Sequence, residues 1–326
     1  MTRWGILATG GIAGRFADDL HRTPGAELVA VGSRSVRSAR AFADKHGIPR
    51  AYGSWDALAA DADLDVVYVA TPHAGHHAAA STLLRGGRAV LCEKPITLDR
   101  ASAAELVDTA RAAGLFLMEG MWTRCNPAVR RVQALLDDGA IGAVTTLSAD
   151  FGAAGPFPPE HRMRAKALGG GALLDLGVYP VALAHLLLGV PDEVRAWSRL
   201  GPEGTDENTG IIFGYARGAL AALTCGIVGE TPNRATVTGQ TGRIELERFF
   251  APTRYILARD GHDHLVVDLP DEGFRHEIEE VQRCLDAGLL ESPLVPHAAT
   301  LEVMGLLDAI REQVGLVYAE SGRATR

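Results

Sequence analysis

Arg3-Trp4-Gly5-Ile6-Leu7-Ala8-Thr9-Gly10-Gly11-Ile12-Ala13, near the start of the chain, carries an apolar run straight into a cluster of small residues. Arg3 to Ala8 reads as a buried strand, Thr9-Gly10-Gly11 as a small-residue turn, and Ile12 to Leu20 has helical spacing. A dinucleotide-binding turn wants GxGxxG at this place. There the main chain approaches a pyrophosphate and a helix N-terminus faces it. The chain keeps the middle glycine, Gly10, and has Ala8 and Ala13 where the outer two would stand. Glycine turns also serve ordinary packing, so the position between first strand and first helix carries the nucleotide reading.

Downstream, apolar runs continue to alternate with helical patterns. Glu27 to Gly32, Val66 to Ala70, Ala89 to Cys92 and Leu115 to Glu119 read as strands; Ser35 to His46, His76 to Arg85 and Ala101 to Ala113 read as helices. Such alternation predicts a parallel, doubly wound sheet of the Rossmann type, covered on both faces. The character changes near residue 120. After a helix at Pro127 to Leu136 come strand-like segments at Val144 to Phe151, Val194 to Leu200, Gly210 to Tyr215, Leu220 to Val228, Thr236 to Gly239 and Arg243 to Glu247. Short turns such as Arg217-Gly218 and Thr241-Gly242 link several of them as antiparallel hairpins. Helices are expected at Ala172 to Leu188, Glu277 to Ala287 and Ala298 to Val314. The expectation is an α/β chain: a dinucleotide-binding Rossmann domain over 1–120, then a substrate-binding and oligomerisation α+β domain over 121–326 with a mostly antiparallel, open sheet.

Length and composition agree with two ordinary globular domains. The 326 residues are 47% hydrophobic and 22% charged, a balance that argues against long disorder. A net charge of −8 disfavours nonspecific binding to nucleic acid or anionic membrane, so neither is expected as a partner. The N-terminus lacks the pattern of a signal peptide, and no uninterrupted apolar run has the length of a membrane span. Cys92, Cys125, Cys225 and Cys284 lie far apart with no CxxC pair, which points to a reduced, cytoplasmic setting without metal or disulfides.

Several residues could carry chemistry. At the end of the second strand an acidic residue would bind the ribose of NAD, whereas arginine receives the 2′-phosphate of NADP. Ser33-Arg34, with Arg37 nearby, therefore favours NADP, with NAD as the second choice. Glu93-Lys94-Pro95 follows the fourth strand, at the edge where doubly wound sheets bind ligands. Gly169-Gly170-Gly171 opens the helix bearing Asp175 and Tyr179, whose i, i+4 spacing places both on one helical face. Buried, they need partners, and a purely structural pair is an equal reading. His73, His76 and His77 share no spacing with carboxylates or cysteines that suggests a metal. His185 points to another face than Tyr179 and reads as structural. Trp122 lines a pocket or fills packing.

In sequence order, Arg3-Trp4-Gly5-Ile6, the shortened glycine turn, Thr71-Pro72 with His76, Glu93-Lys94-Pro95 and the Gly-Gly-Gly…Asp-x-Gly block resemble the glucose–fructose oxidoreductase and inositol dehydrogenase (Gfo/Idh/MocA) family over nearly the whole chain. Within it, Lys45 to Ser54, Val90 to Pro95, Phe116 to Glu119, Trp122-Thr123-Arg124 and Leu173 to Tyr179 are most similar to the branch of dihydrodiol and NADP-dependent D-xylose dehydrogenases. Cys125 and Met163-Arg164-Ala165-Lys166 depart from the family pattern, which bears on substrate identity.

The resemblance implies hydride transfer between a nicotinamide and a hydroxyl-bearing carbon of a sugar, polyol or cyclic diol. It implies cofactor contacts from Gly10, Gly11, Ile12, Ala13, Ser33, Arg34, Arg37, Thr71, Pro72, His73, His76, Glu93 and Lys94. Tyr179 would be the acid–base group. A free phenol ionises near pH 10, so the Lys94 ammonium would favour phenolate or bond the substrate hydroxyl, and Asp175 would orient one of them. Trp122, Phe151, His161 and Arg162 would face substrate, and members pair through the open sheet, so a homodimer or higher homo-oligomer is expected. Two other readings stand beside this one. A catalytically silent, cofactor-binding regulator would lack the Lys94, Asp175 and Tyr179 set, and a nonredox glycoside-cleaving enzyme would release a leaving group without net change in the cofactor.

Overall fold

The computed structural model describes residues 1–318. The chain forms two compact units, one of Met1–Met121 with Glu272–Leu301, the other of Trp122–Asp271 with the run that starts at Glu302. The linear division after residue 120 thus misses a return: a segment far downstream belongs to the first unit.

In the first unit the elements run β1 Thr2–Leu7, α1 Gly11–Arg22, β2 Ala26–Gly32, α2 Val36–His46, β3 Arg50–Tyr52, α3 Trp55–Ala59, β4 Val66–Val69, α4 His76–Arg85, β5 Ala89–Glu93, α5 Arg100–Ala113 and β6 Leu117–Gly120. All pairings are parallel and the strand order is β3-β2-β1-β4-β5-β6, the order of a dinucleotide-binding doubly wound sheet. β4, β5 and β6 are buried at every position, as unbroken apolar runs require when helices cover both faces. Ser35, Ser54 and Asp99 cap α2, α3 and α5 by accepting an amide N–H of the first turn. α1 differs: its N-cap is Gly10, no side chain caps it, and its first turn holds no acidic residue.

The second unit holds α6 Pro127–Asp137, β7 Val144–Gly152, a π-helical turn Leu173–Gly177 running into α7 Val178–Leu188, then β8 Glu193–Leu200, β9 Asp206–Gly214, β10 Leu220–Gly226, β11 Ala235–Gly239, β12 Gly242–Leu246, β13 Arg254–Arg259 and β14 Leu265–Asp268. Its eight strands lie in the order β14-β13-β12-β11-β7-β10-β9-β8, antiparallel except for β7 beside β10. Ile211, Phe213, Ala221, Leu223 and Cys225 fill the buried face. On the other face stand Trp197, Ile212 and Leu220, which are 71%, 41% and 41% exposed; their partners across the sheet are Gly210, Arg195 with Ala222, and Gly214 respectively. The helical run Lys166–Leu188 has the length and apolarity of a membrane span, but 89% of its apolar window is buried inside the protein, so its apolarity is that of a core helix.

α8 Arg275–Asp286 and the first residues of α9 His297–Val314 belong to the first unit. There the Phe274 amide donates to Asp19 Oδ2 at 2.9 Å, the Leu117 amide to the Leu290 carbonyl at 3.1 Å, and the Thr300 hydroxyl to Glu119 Oε2 at 3.1 Å.

Candidate active site

The first cluster lies along the carboxyl ends of β1, β2, β4 and β5. A Cβ built on Gly10 or Gly11 would meet nothing within 4 Å, so packing does not demand these glycines. What they leave is open space before an uncapped helix N-terminus, a setting in which amide N–H groups bind an anion. Ile12 is half-buried and Ala13 fully buried. Ala8, where the motif has its first glycine, sits at φ 114°, a region that L-residues rarely adopt. At the end of β2, Ser33 is half-buried while Arg34 and Arg37 are exposed, and neither arginine pairs with a carboxylate among the described residues. Thr71 Oγ1, after β4, is buried without a hydrogen-bond partner among the described residues.

His76 explains why two separate motifs go together. Fully buried, it reaches the Thr71 carbonyl from Nε2 and the Pro95 carbonyl from Nδ1, both at 2.8 Å. It thereby ties the turn after β4, with Thr71, Pro72 and His73, to the turn after β5. In that second turn, Glu93 accepts from the Tyr68 hydroxyl and from the Lys94 amide, the latter at 3.1 Å. The Lys94 side chain is buried. The uncapped N-terminus, the orphan Thr71 hydroxyl and the free arginines after β2 make a donor set that fits a dinucleotide phosphate.

The second cluster surrounds Tyr179, which is 8% exposed. The Trp122 indole N–H donates to its phenolic oxygen at 3.0 Å. Phe151 and Phe250 wall it, with ring centroids 5.4 and 6.0 Å from the Tyr179 ring, and stack on one another at 4.3 Å. Asp175, buried in the π-helical turn, accepts from Arg162 Nη1 at 2.7 Å. The helix is not regular from Ala172: Asp175 lies in the π-helical turn and Tyr179 in the first turn of α7. His161 is turned to its own loop, where it accepts from the Met163 amide and stacks on Phe157.

His185 is placed as a structural residue. It accepts from Arg124 Nη2 at 2.8 Å and donates to Glu302 Oε2 at 2.6 Å; burial holds its imidazole below the ordinary histidine range. Arg164, in the stretch that departs from the family pattern, binds Glu207 at 2.7 Å and Glu203 at 3.3 Å. Phe250 was not foreseen. The paired aromatics Phe249-Phe250, beyond β12 in the loop before β13, are the signal that marks it; the Thr123 hydroxyl donates to the Phe250 carbonyl at 2.6 Å.

Comparison with known proteins agrees with this geometry. Residues 2–121 match the model of an oxidoreductase family with an NAD-binding Rossmann fold, and residues 129–245 match the GFO/IDH/MocA C-terminal domain. The chain is 35% identical to trans-1,2-dihydrobenzene-1,2-diol dehydrogenase of Mus musculus over 98% of this chain and 99% of that protein. It is 36% identical to the Danio rerio protein of the same name, again over 98% and 99%. Among solved structures, KijD10, a 3-ketoreductase from Actinomadura kijaniata in complex with NADP and TDP-benzene, superposes with a TM-score of 0.87 at 31% identity, over 96% of this chain and 98% of that one. The aldose-aldose oxidoreductase of Caulobacter crescentus shares the fold, with a TM-score of 0.87 at 24% identity over 96% and 97%. The chain belongs to the Gfo/Idh/MocA family of oxidoreductases, as a dehydrogenase with an NAD-binding Rossmann domain.

Proposed function

We propose that this oxidoreductase moves a hydride between NADP, or less well NAD, and a hydroxyl-bearing carbon of a sugar, polyol or cyclic diol. The observation that carries the reading is the Tyr179 hydroxyl, bonded by Trp122 and walled by Phe151 and Phe250. When bound, the nicotinamide supplies the hydride chemistry; the protein orients the carbinol carbon and handles its proton. Tyr179 takes the hydroxyl proton during oxidation, and the N–H donated by Trp122 favours the phenolate that can do so. Asp175 orients substrate hydroxyls with Arg162, and Phe151 and Phe250 give the substrate ring an apolar surface. Lys94 is the catalytic cation. The turn at Gly10 and Gly11, Thr71 and the His76 tie hold the dinucleotide, and Arg34 and Arg37 receive its 2′-phosphate.

The names of the diol dehydrogenases and of the NADP-bound ketoreductase support this assignment. The same reading makes the protein a cytoplasmic homodimer paired through the exposed sheet face. A panel of aldoses, inositols and cyclic diols, followed by reduced-nicotinamide absorbance with each cofactor in parallel, tests it. Turnover of a cyclic diol or aldose with NADP is the expected result; no absorbance change with any of them overturns it.

A further inference from the structure

Asp206 opens β9 and is fully buried, far in sequence from the residues assigned to chemistry. Its Oδ2 accepts from the Leu173 amide at 2.7 Å and from the Thr209 hydroxyl at 2.8 Å. Ala172, Leu173 and Leu174 are themselves fully buried, so water cannot satisfy the first amides of the π-helical turn as it does at a surface helix. A side-chain acceptor has to come from the protein, and Asp206 is that acceptor.

The surroundings are built around this carboxylate. Gly171 sits at φ +121°, and a Cβ there would lie 2.3 Å from Asp206 Oδ1 and 3.0 Å from the Tyr318 hydroxyl. A Cβ on Gly170 would lie 2.6 Å from the carbonyl of Arg162, the partner of Asp175. Tyr318 closes the other side by donating to the Gly170 carbonyl at 2.6 Å. The glycine run is therefore a fitted seat: one residue admits the Asp206 carboxylate, and its neighbour admits the loop that carries Arg162.

We propose that Asp206 is a positioning residue that fixes the π-helical turn and so sets where Asp175 and Tyr179 hold their polar atoms. The proposal rests on the reading of those two residues given above and adds the device that places them. What matters is the acceptor oxygen at the Leu173 amide; burial already pushes the Asp206 carboxyl up to about 6, so the site tolerates a neutral group of the same shape.

The test compares Asp206→Ala and Asp206→Asn in the full chain. Each is measured for kcat, KM, NADP affinity by fluorescence titration, and hydrogen exchange at residues 172–177. In Asp206→Ala, kcat should fall about 10–100-fold, the range for displaced catalytic groups, while KM and NADP affinity change by less than about threefold. The amides of residues 172–177 should exchange faster. Asp206→Asn keeps an oxygen for the Leu173 amide and should restore kcat to within about fivefold of wild type. A folded Asp206→Ala protein with near-wild-type kcat and unchanged exchange overturns the proposal. If Asp206→Ala fails to fold, Asp206→Asn decides: exchange at residues 172–177 as in wild type supports the proposal, and free exchange with wild-type kcat overturns it. A Tyr179→Phe control separates the two readings, since it tests the role of Tyr179 without touching the exchange of the opening turn.

Discussion

The Trp122 indole N–H and the Tyr179 oxygen stand 3.0 Å apart, so the phenol receives a hydrogen bond from a side chain that can only donate. Tyr179→Phe removes the acceptor and keeps the ring packed beside the stacked Phe151 and Phe250. Turnover should fall about 10²–10⁴-fold, the contribution of a general acid–base group, with cofactor affinity retained. Lys94→Ala should lose as much or more, and the double variant far less than the product of the two. Tyr179→Phe activity within about threefold of wild type would return Tyr179 to a structural role.

Arg34 is exposed at the end of β2 with no carboxylate partner among the described residues. Arg34→Ala should lower kcat/KM for NADP while leaving that for NAD little changed. An unchanged ratio between the two cofactors sinks the assignment of the 2′-phosphate to this residue.

Trp197, Ile212 and Leu220 are large exposed apolar side chains on one face of the second sheet, where a protein contact would cover them. Light scattering at micromolar concentration should give a dimer mass, and Ile212→Asp should give a monomer that keeps its fold. A monomer mass for the wild type counts against pairing.

Glu277, in α8, is fully buried, and neither of its oxygens has a hydrogen-bond partner among the described residues. Burial, and then the charges of Glu93 and Asp19, hold its carboxyl well above the usual carboxylate range. A raised native value means that its contribution to stability is complete below the unfolded carboxylate range and is lost as pH rises through the native value. Glu277→Gln should therefore melt higher than wild type, with a gap that widens towards alkaline pH. Parallel melting curves that never diverge would show that the carboxyl finds a partner in solution.

Ala8, at φ 114°, holds about 1–3 kcal/mol of backbone strain by the usual measure of such outliers. Ala8→Gly removes that strain and adds about 0.5–1 kcal/mol of unfolded-chain entropy, so a net gain in stability of about 1 kcal/mol is expected. Thermal denaturation reads it directly; a lower melting temperature refutes the strain.

Strand–helix alternation made the first sheet readable, because fully buried strands are unbroken apolar runs. β3 escaped, since Arg50-Ala51-Tyr52 is half-buried and too short for any period to show. β13 and β14 escaped because Arg254, Arg259 and Leu265-Val266 give an edge hairpin no clean alternation between a wet and a dry face. The site followed the same rule. Glu93-Lys94-Pro95 and the Asp175–Tyr179 block announce themselves as polar residues in apolar runs. The π-turn does not, since one residue of slip leaves the composition unchanged, and Asp206 owes its role to an amide more than thirty positions away.

The return of residues 272–301 to the first unit governs how the chain comes to be folded. The contacts of Asp19, Leu117 and Glu119 with Phe274, Leu290 and Thr300 form only after the residues of the second unit have left the ribosome, so the nucleotide-binding half is completed last. A long loop costs little extra to close once its ends are held, which lets evolution place a whole sheet between the two parts. A fragment cut after Met121 would keep the motifs of a Rossmann domain and yet lose the Leu290 acceptor of the Leu117 amide, the Phe274 donor to Asp19 Oδ2 and the Thr300 donor to Glu119 Oε2.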